Sequence, residues 1–215
     1  LHSLAVGNYE RADEIIEAAR QIDPLNQTIH GVSVLVSGLL GDVQRAEGKY
    51  RRGKEIFGDH WYLGNVYITI LRLGIKKNLS RDYILFSSPI SDEAKEHFDS
   101  PKEGLSKLRR IYNNDDNLTS TDFVEISVWA AYFGDPEFAL NALERAVSIS
   151  SHQLALYWYL LMKEARQLPR FKEFVKEIGL VDYWKEYGWP DLCHPVGDDD
   201  FVCDEFSLSG RKLCP

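Results

Sequence analysis

Cys193, Cys203 and Cys214 are the only cysteines of the chain, and all three fall within its last 23 residues. Three chemistries suit that placement. A Cys193 to Cys203 disulfide would close a short loop and, by limiting the unfolded chain, contribute a little under about 3 kcal/mol. Reduced thiols are the second. Zinc held by Cys193, His194, Cys203 and Cys214 is the third, since three Cys and one His complete a tetrahedral set. Spacing speaks against zinc: no C-x2-C knuckle is present, and adjacent Cys193 and His194 project in different directions. The expectation is the disulfide, with no metal and no cofactor. An oxidised pair would place the chain in an oxidising compartment, which in bacteria is the periplasm; otherwise a cytoplasmic place is expected.

Other reactive types are scattered. Asp198, Asp199 and Asp200 are consecutive, but the twelve-residue loop of a calcium hand, with its glycine and final bidentate glutamate, is missing. A solvated acidic loop is expected, with Asp200 turned inward by Phe201. His2, His30, His60, His97, His152 and His194 show no H-E-x-x-H spacing, so each reads as a surface or capping residue. Neither a nucleophile elbow, nor a phosphate loop, nor a dinucleotide fingerprint occurs. No enzymatic activity is expected.

The elements that must position these residues show an internal repeat. Gly7-Asn8-Tyr9-Glu10-Arg11-Ala12 is matched by Gly41-Asp42-Val43-Gln44-Arg45-Ala46 at a spacing of 34, and again by Gly134-Asp135-Pro136-Glu137-Phe138-Ala139. The same offsets continue through Ile16 and Ala19, Tyr50 and Gly53, Leu143 and Ala146. Antiparallel helix pairs explain the pattern. Glycine ends one helix because it tolerates positive φ, Asn or Asp caps the next, and alanine lets two axes approach. With Pro24 at one exit, the cassette resembles the tetratricopeptide repeat over residues 1–58 and 120–151.

The resemblance implies an all-α, right-handed α-α superhelix. A third pair should begin near Trp61, yet the next cassette follows Gly74 by 60 residues, so an irregular insertion is expected over about 75–100. Helical structure resumes with Ser100 as N-cap, Pro101 at the first helical position and Glu103 completing a capping box. Helices are predicted near 8–22, 26–39, 42–57, 60–73, 79–86, 92–98, 101–113, 120–133, 135–149, 152–165, 169–178 and 181–186, with no strand and an extended or looped chain after Gly188. Residues 1–178 form the repeats; 179–215 form a capping segment of the same domain. Terminal repeats need a seal, and Phe171, Phe174, Tyr183, Trp184, Tyr187 and Trp189 supply an aromatic one.

A narrower resemblance lies at this end. Pro169-Arg170-Phe171-Lys172, Gly179-Leu180-Val181-Asp182-Tyr183-Trp184 and Gly188-Trp189-Pro190-Asp191, with Cys193, Pro195, Asp199-Asp200-Phe201 and Cys203, resemble the C-terminal region of bacterial signalling proteins. Those join tetratricopeptide repeats to a winged-helix DNA-binding domain or a class III adenylate cyclase domain. The resemblance implies a scaffold or sensory module that binds a protein or peptide. Two alternatives stand beside it: self-association that dimerises an output domain, and sensing of a small ligand. The chain lacks an initiator Met, its single Met being Met162, and reads as a piece of something longer.

In this repeat the first helix of each pair lines the groove, which makes Tyr62, Asn65, Thr69 and Arg72 the candidate partner-binding residues. Arg forks onto carboxylates and Asn fixes peptide backbones. The second pair offers Thr28, Gly31, Leu35 and Gly38, shape without charge; the groove filled by the insertion itself is the competing expectation. Trp129, Tyr132, Tyr157, Trp158 and Tyr159 are expected between helices. Charge limits partners further: 25 Lys and Arg against 33 Asp and Glu give −8, which disfavours nucleic acid and anionic membranes. The uncharged stretch from Gln27 to Gly41 is too short to span a bilayer, for which roughly 20 apolar residues are needed. It reads as a buried helix.

Overall fold

The computed structural model describes residues 2–59, 61–75, 88–198 and 200–204. Helices dominate: α1 (His2–Ala5), α2 (Tyr9–Ile22), α3 (Gln27–Leu39), α4 (Val43–Phe57), α5 (Tyr62–Ile75), α6 (Pro89–Glu96), α7 (Pro101–Asn114), α8 (Ser120–Tyr132), α9 (Pro136–Ile149), α10 (Lys163–Arg166), α11 (Pro169–Glu177) and α12 (Leu180–Tyr187). No helix among the described residues is long and apolar enough to cross a membrane. The predicted helix at 79–86 lies outside the described residues.

The repeated cassette makes the same turn three times. Gly7, Gly41 and Gly134 take φ of 84°, 77° and 87°. In each, the amide three residues past the helix donates to the carbonyl five positions back: Asn8 to Ser3, Asp42 to Ser37 and Asp135 to Ala130. This Schellman closure satisfies carbonyls the helix end leaves over. The Asn8, Asp42 and Asp135 side chains then accept from the amides of Arg11, Arg45 and Phe138. Ala12, Ala46 and Ala139 are buried. Three-residue turns of this kind force the flanking helices antiparallel, as in α3 and α4 or α8 and α9, which pack side by side.

Every residue of α3 from His30 to Leu39 is buried. Its two interior serines cost little, because Ser33 donates to the His30 carbonyl and Ser37 to that of Ser33. Gly31 and Gly38 of α3 face α5: a Cβ on Gly31 would lie 2.8 Å from that of Leu63, and one on Gly38 would lie 3.2 Å from Leu71. These glycines bring helices together and offer no shape to a ligand. Trp61 fills a slot between Gly53 of α4 and Gly64 of α5, stacks on Tyr50 and donates to the Gln27 carbonyl at 3.1 Å.

Departures from expectation have local causes. The helix predicted near 92–98 forms as α6 but starts three residues earlier, at Pro89, because the Ser88 hydroxyl caps it by accepting from the Ser91 amide. Pro101 opens α7, but the Ser100 side chain makes no cap bond; the capping box is instead Thr119 with Asp122 on α8. The helix predicted at 152–165 is broken into 3-10 turns at Ser151–Trp158 and Leu160–Met162 ahead of α10. Tyr157, Trp158 and Tyr159 are consecutive and all buried at this break. Tyr159 turns extended at ψ 148°, and the buried Arg166 guanidinium donates to the carbonyls of Tyr157 and Tyr159.

The expectation of no strand is corrected. Residues after Gly188 form a hairpin, β1 (Cys193–Val196) against β2 (Asp200–Cys203), antiparallel with Cys193 opposite Cys203. The aromatic segment also does more than cover the preceding repeat. It returns to the beginning of the chain: the indoles of Trp158 and Trp184 donate to the carbonyls of Ala5 and Val6 at 3.1 and 3.0 Å. Asp191 accepts from the amides of Tyr9 and Glu10 at 2.8 and 3.0 Å, and its own amide donates to the Gly7 carbonyl. Both ends of the described chain thus share one core with Phe171, Trp189 and Phe201.

Candidate functional site

Closure of the chain on itself leaves a half-open cavity of about 750 Å³. Its walls are the end of α1, Leu35 of α3, one stripe of α5, the start of α8, the 3-10 turn at 151–156, and the junction of α11 with α12. The α5 stripe consists of Tyr62, Leu63, Val66, Tyr67 and Ile70, which share a helix face by their three- and four-residue spacing. Burial raises the phenols of Tyr67 and Tyr159 above their ordinary value, so both are neutral hydroxyls at physiological pH.

Of the four candidate partner-binding residues on α5, Tyr62 stands on this wall, 62% exposed. Asn65 is buried on the opposite side, where it accepts from the Tyr50 hydroxyl at 2.8 Å and donates to the Asp59 carbonyl. Thr69 is buried. Arg72 forks onto Glu47 at 2.9 and 2.8 Å with its guanidinium over the Tyr50 ring. Asn65 and Thr69 are thus buried, and the partly exposed Arg72 is engaged by Glu47 and Tyr50. The cause is α4: its Glu47 and Tyr50 offer polar partners to one face of α5, and the apolar face is turned to the cavity. From the second pair, Leu35 faces the cavity. Whether residues 76–87 fill the groove lies outside the described residues.

One cavity residue was not singled out from sequence. Glu125 of α8 is only 8% exposed yet lines the cavity. One carboxylate oxygen, Oε2, accepts from the hydroxyls of both Ser88 and Ser91, the latter at 2.7 Å. Ser91 in turn accepts from the Trp129 indole at 3.0 Å, so the buried rank of hydroxyls and indole has a defined donor direction ending on Glu125. No ion pair joins Glu125 to a cation among the described residues. The sequence carried a signal: Glu125 is the single charge between Phe123 and Tyr132 on an apolar run.

Cys193 and Cys203 are joined by a disulfide, with Cα atoms 3.9 Å apart. Two of the four zinc candidates are thereby occupied, and Cys214 lies outside the described residues. Gln167 donates to the Cys203 carbonyl at 2.8 Å, anchoring the hairpin. Asp200 is exposed and paired with Lys172 at 2.9 Å, which holds its carboxyl below the ordinary value; Phe201, its strand neighbour, is the inward residue. Asp199 lies outside the described residues. A group of Glu93, Glu96 and His97 on α6 has potential ligand atoms within 4.8 Å of one another, but Lys107 already pairs with Glu93 at 2.9 Å. Elsewhere His2 meets the Tyr183 hydroxyl, His30 the Pro24 carbonyl and His152 the Ser150 hydroxyl.

Comparison with protein-family models, curated proteins and solved structures gives no match for this chain.

Proposed function

We propose that this chain is a protein- or peptide-interaction module of a larger bacterial signalling or transcription-regulatory protein, with its helix pairs arranged as a tetratricopeptide-like right-handed superhelix and no catalytic role. The single observation that carries the reading is the half-open apolar cavity of about 750 Å³ on one face of the tandem helices. A wall of leucine, valine, isoleucine and tyrosine with a wet mouth suits side chains of a short partner segment, which gain by leaving water. The repeated turn cassette supports the helix-pair arrangement, and the oxidised Cys193 and Cys203 pair fits an oxidising compartment.

Selection of linear peptides from a display library against the folded protein tests this. Selected peptides should lose about tenfold or more in affinity for Val66→Trp, which fills the cavity from α5 while leaving the helix–helix contacts behind it in place. Circular dichroism verifies the fold of the variant. Peptides that bind wild type and variant equally would place the interaction elsewhere and defeat the reading.

A further inference from the structure

Among the described residues, the cavity lining contains one formally charged side chain, Glu125, and neither lysine nor arginine. That asymmetry has an energetic consequence. A carboxylate more than nine-tenths buried against apolar walls is costly unless its oxygens are satisfied. Ser88 and Ser91 both act on Oε2. Oε1 has no hydrogen-bond partner among the described residues, and Glu125 borders the cavity. Ser88 is fixed as the N-cap of α6 and Ser91 is fixed by the Trp129 indole, so neither hydroxyl can swing to serve both oxygens. The remaining acceptor is left for a donor that enters the half-open cavity.

We infer that Glu125 makes the cavity selective for an apolar peptide segment carrying one basic side chain, a lysine ammonium or an arginine guanidinium, which donates to Glu125 Oε1 while its apolar neighbours lie along Val66 and Ile70. The inference rests on the reading of the cavity as a peptide site and adds the chemical class of its ligand. Charge complementarity selects this occupant: an acidic segment would meet Glu125 with like charge, and a wholly apolar one would bury it without a partner. A charge-assisted hydrogen bond of this kind distinguishes lysine from an uncharged isostere by about tenfold or more.

The test uses N-acetylated, C-amidated peptides of apolar sequence bearing a single lysine, or norleucine in its place, titrated calorimetrically into the full chain. Wild type should bind the lysine peptides about tenfold more tightly than their norleucine partners, and Glu125→Gln should bring the two within about twofold while norleucine binding persists. Thr121→Lys provides a second variant that leaves the buried serines untouched. One helical turn before Glu125, it supplies an internal cation and should likewise remove the preference. An equal lysine preference in wild type and both variants overturns the assignment of Glu125 but leaves the cavity as the peptide site. Absence of binding by any of the peptides overturns both. A doubling of wild-type mass in light scattering, unaffected by lysine peptide, would make a second copy the occupant and also overturns the inference.

Discussion

The turns at Gly7 and Gly134 are built from the same cassette and share backbone geometry, down to the amide that closes five positions back. Their surroundings are opposite. A Cβ on Gly134 would meet nothing within 4 Å, whereas one on Gly7 would lie 2.6 Å from the Pro190 side chain and 2.7 Å from the Trp158 ring. The difference teaches that glycine in this cassette answers a local demand for positive φ, and that the same residue becomes a packing residue only where the chain end comes back to cover it. At Gly7 two requirements coincide; at Gly134 only the first applies.

Substitution separates those requirements. Gly7→Val should destabilise by about 3 kcal/mol or more in urea denaturation, because left-handed strain adds to collision with the Trp158 ring. Gly134→Ala should cost about 1 kcal/mol, the conformational part alone. Equal effects at the two turns would mean that the C-terminal segment does not press on the first turn in solution.

Cutting the covering segment loose is the next largest change. Cys203→Ser should cost about 2–3 kcal/mol, the loop-closure contribution of a ten-residue separation. It should also raise hydrogen exchange at the Tyr9 and Glu10 amides, which Asp191 holds, and leave the Phe138 amide at the Gly134 turn protected. Protection lost equally at both turns would show global loosening, and would remove the hairpin's special tie to the first turn.

Smallest is the electrostatic contrast. The first helix pair is tied to the second by Lys49 with Glu17 at 2.6 Å and Arg45 with Asp13 at 2.8 Å. Burial alone would raise the Glu17 carboxyl, but the Lys49 hydrogen bond and charge, helped by Arg20, hold it below the ordinary value of 4.5. The folded protein therefore binds fewer protons than the unfolded chain near and below that pH. The contribution is complete above pH 4.5 and is lost as the pH falls through the lower folded value. Thermal melts should weaken on acidification in that window, and Lys49→Met should remove about 0.5 kcal/mol of the decline, the scale of a solvent-screened pair. An unchanged acid limb would assign the decline to other carboxylates.

Much of the helical framework was legible because its signals are local. Each Gly-Asn or Gly-Asp cassette states a turn and a cap within six residues, and α2, α3, α4, α8 and α9 lie within a residue or so of their predicted bounds. The failures are equally instructive. Residues 152–165 have helical composition, but the backbone turns extended at Tyr159, where Arg166 from farther along the chain takes the carbonyls of Tyr157 and Tyr159. Ser100 and Glu103 match a capping box in type, yet the box formed at Thr119 and Asp122, which periodicity alone does not distinguish. Of the α5 residues singled out from sequence, Tyr62 lines the cavity while Asn65 and Arg72 bond within the chain, because the face that α5 turns to the cavity depends on which polar partners α4 presents. Glu125 was overlooked because a single glutamate in an apolar run reads as solvated until Ser88 and Ser91 are brought to it from 37 and 34 residues away.

By itself the amino-acid sequence determined the helix-pair turns and their caps, since each depends on residues close along the chain whose φ preferences and capping side chains act before any long-range contact. The pairing of Cys193 with Cys203, one of three chemistries the spacing allowed, was decided by the hairpin that sets them opposite each other. Tertiary structure alone decided that the aromatic C-terminal segment closes on α1 and α2, that a cavity remains between them, and that one buried carboxylate borders it. Those outcomes rest on contacts more than 150 residues apart, such as Trp158 with Ala5 and Trp184 with Val6, where burial of large apolar area chooses among faces that the local code leaves equivalent.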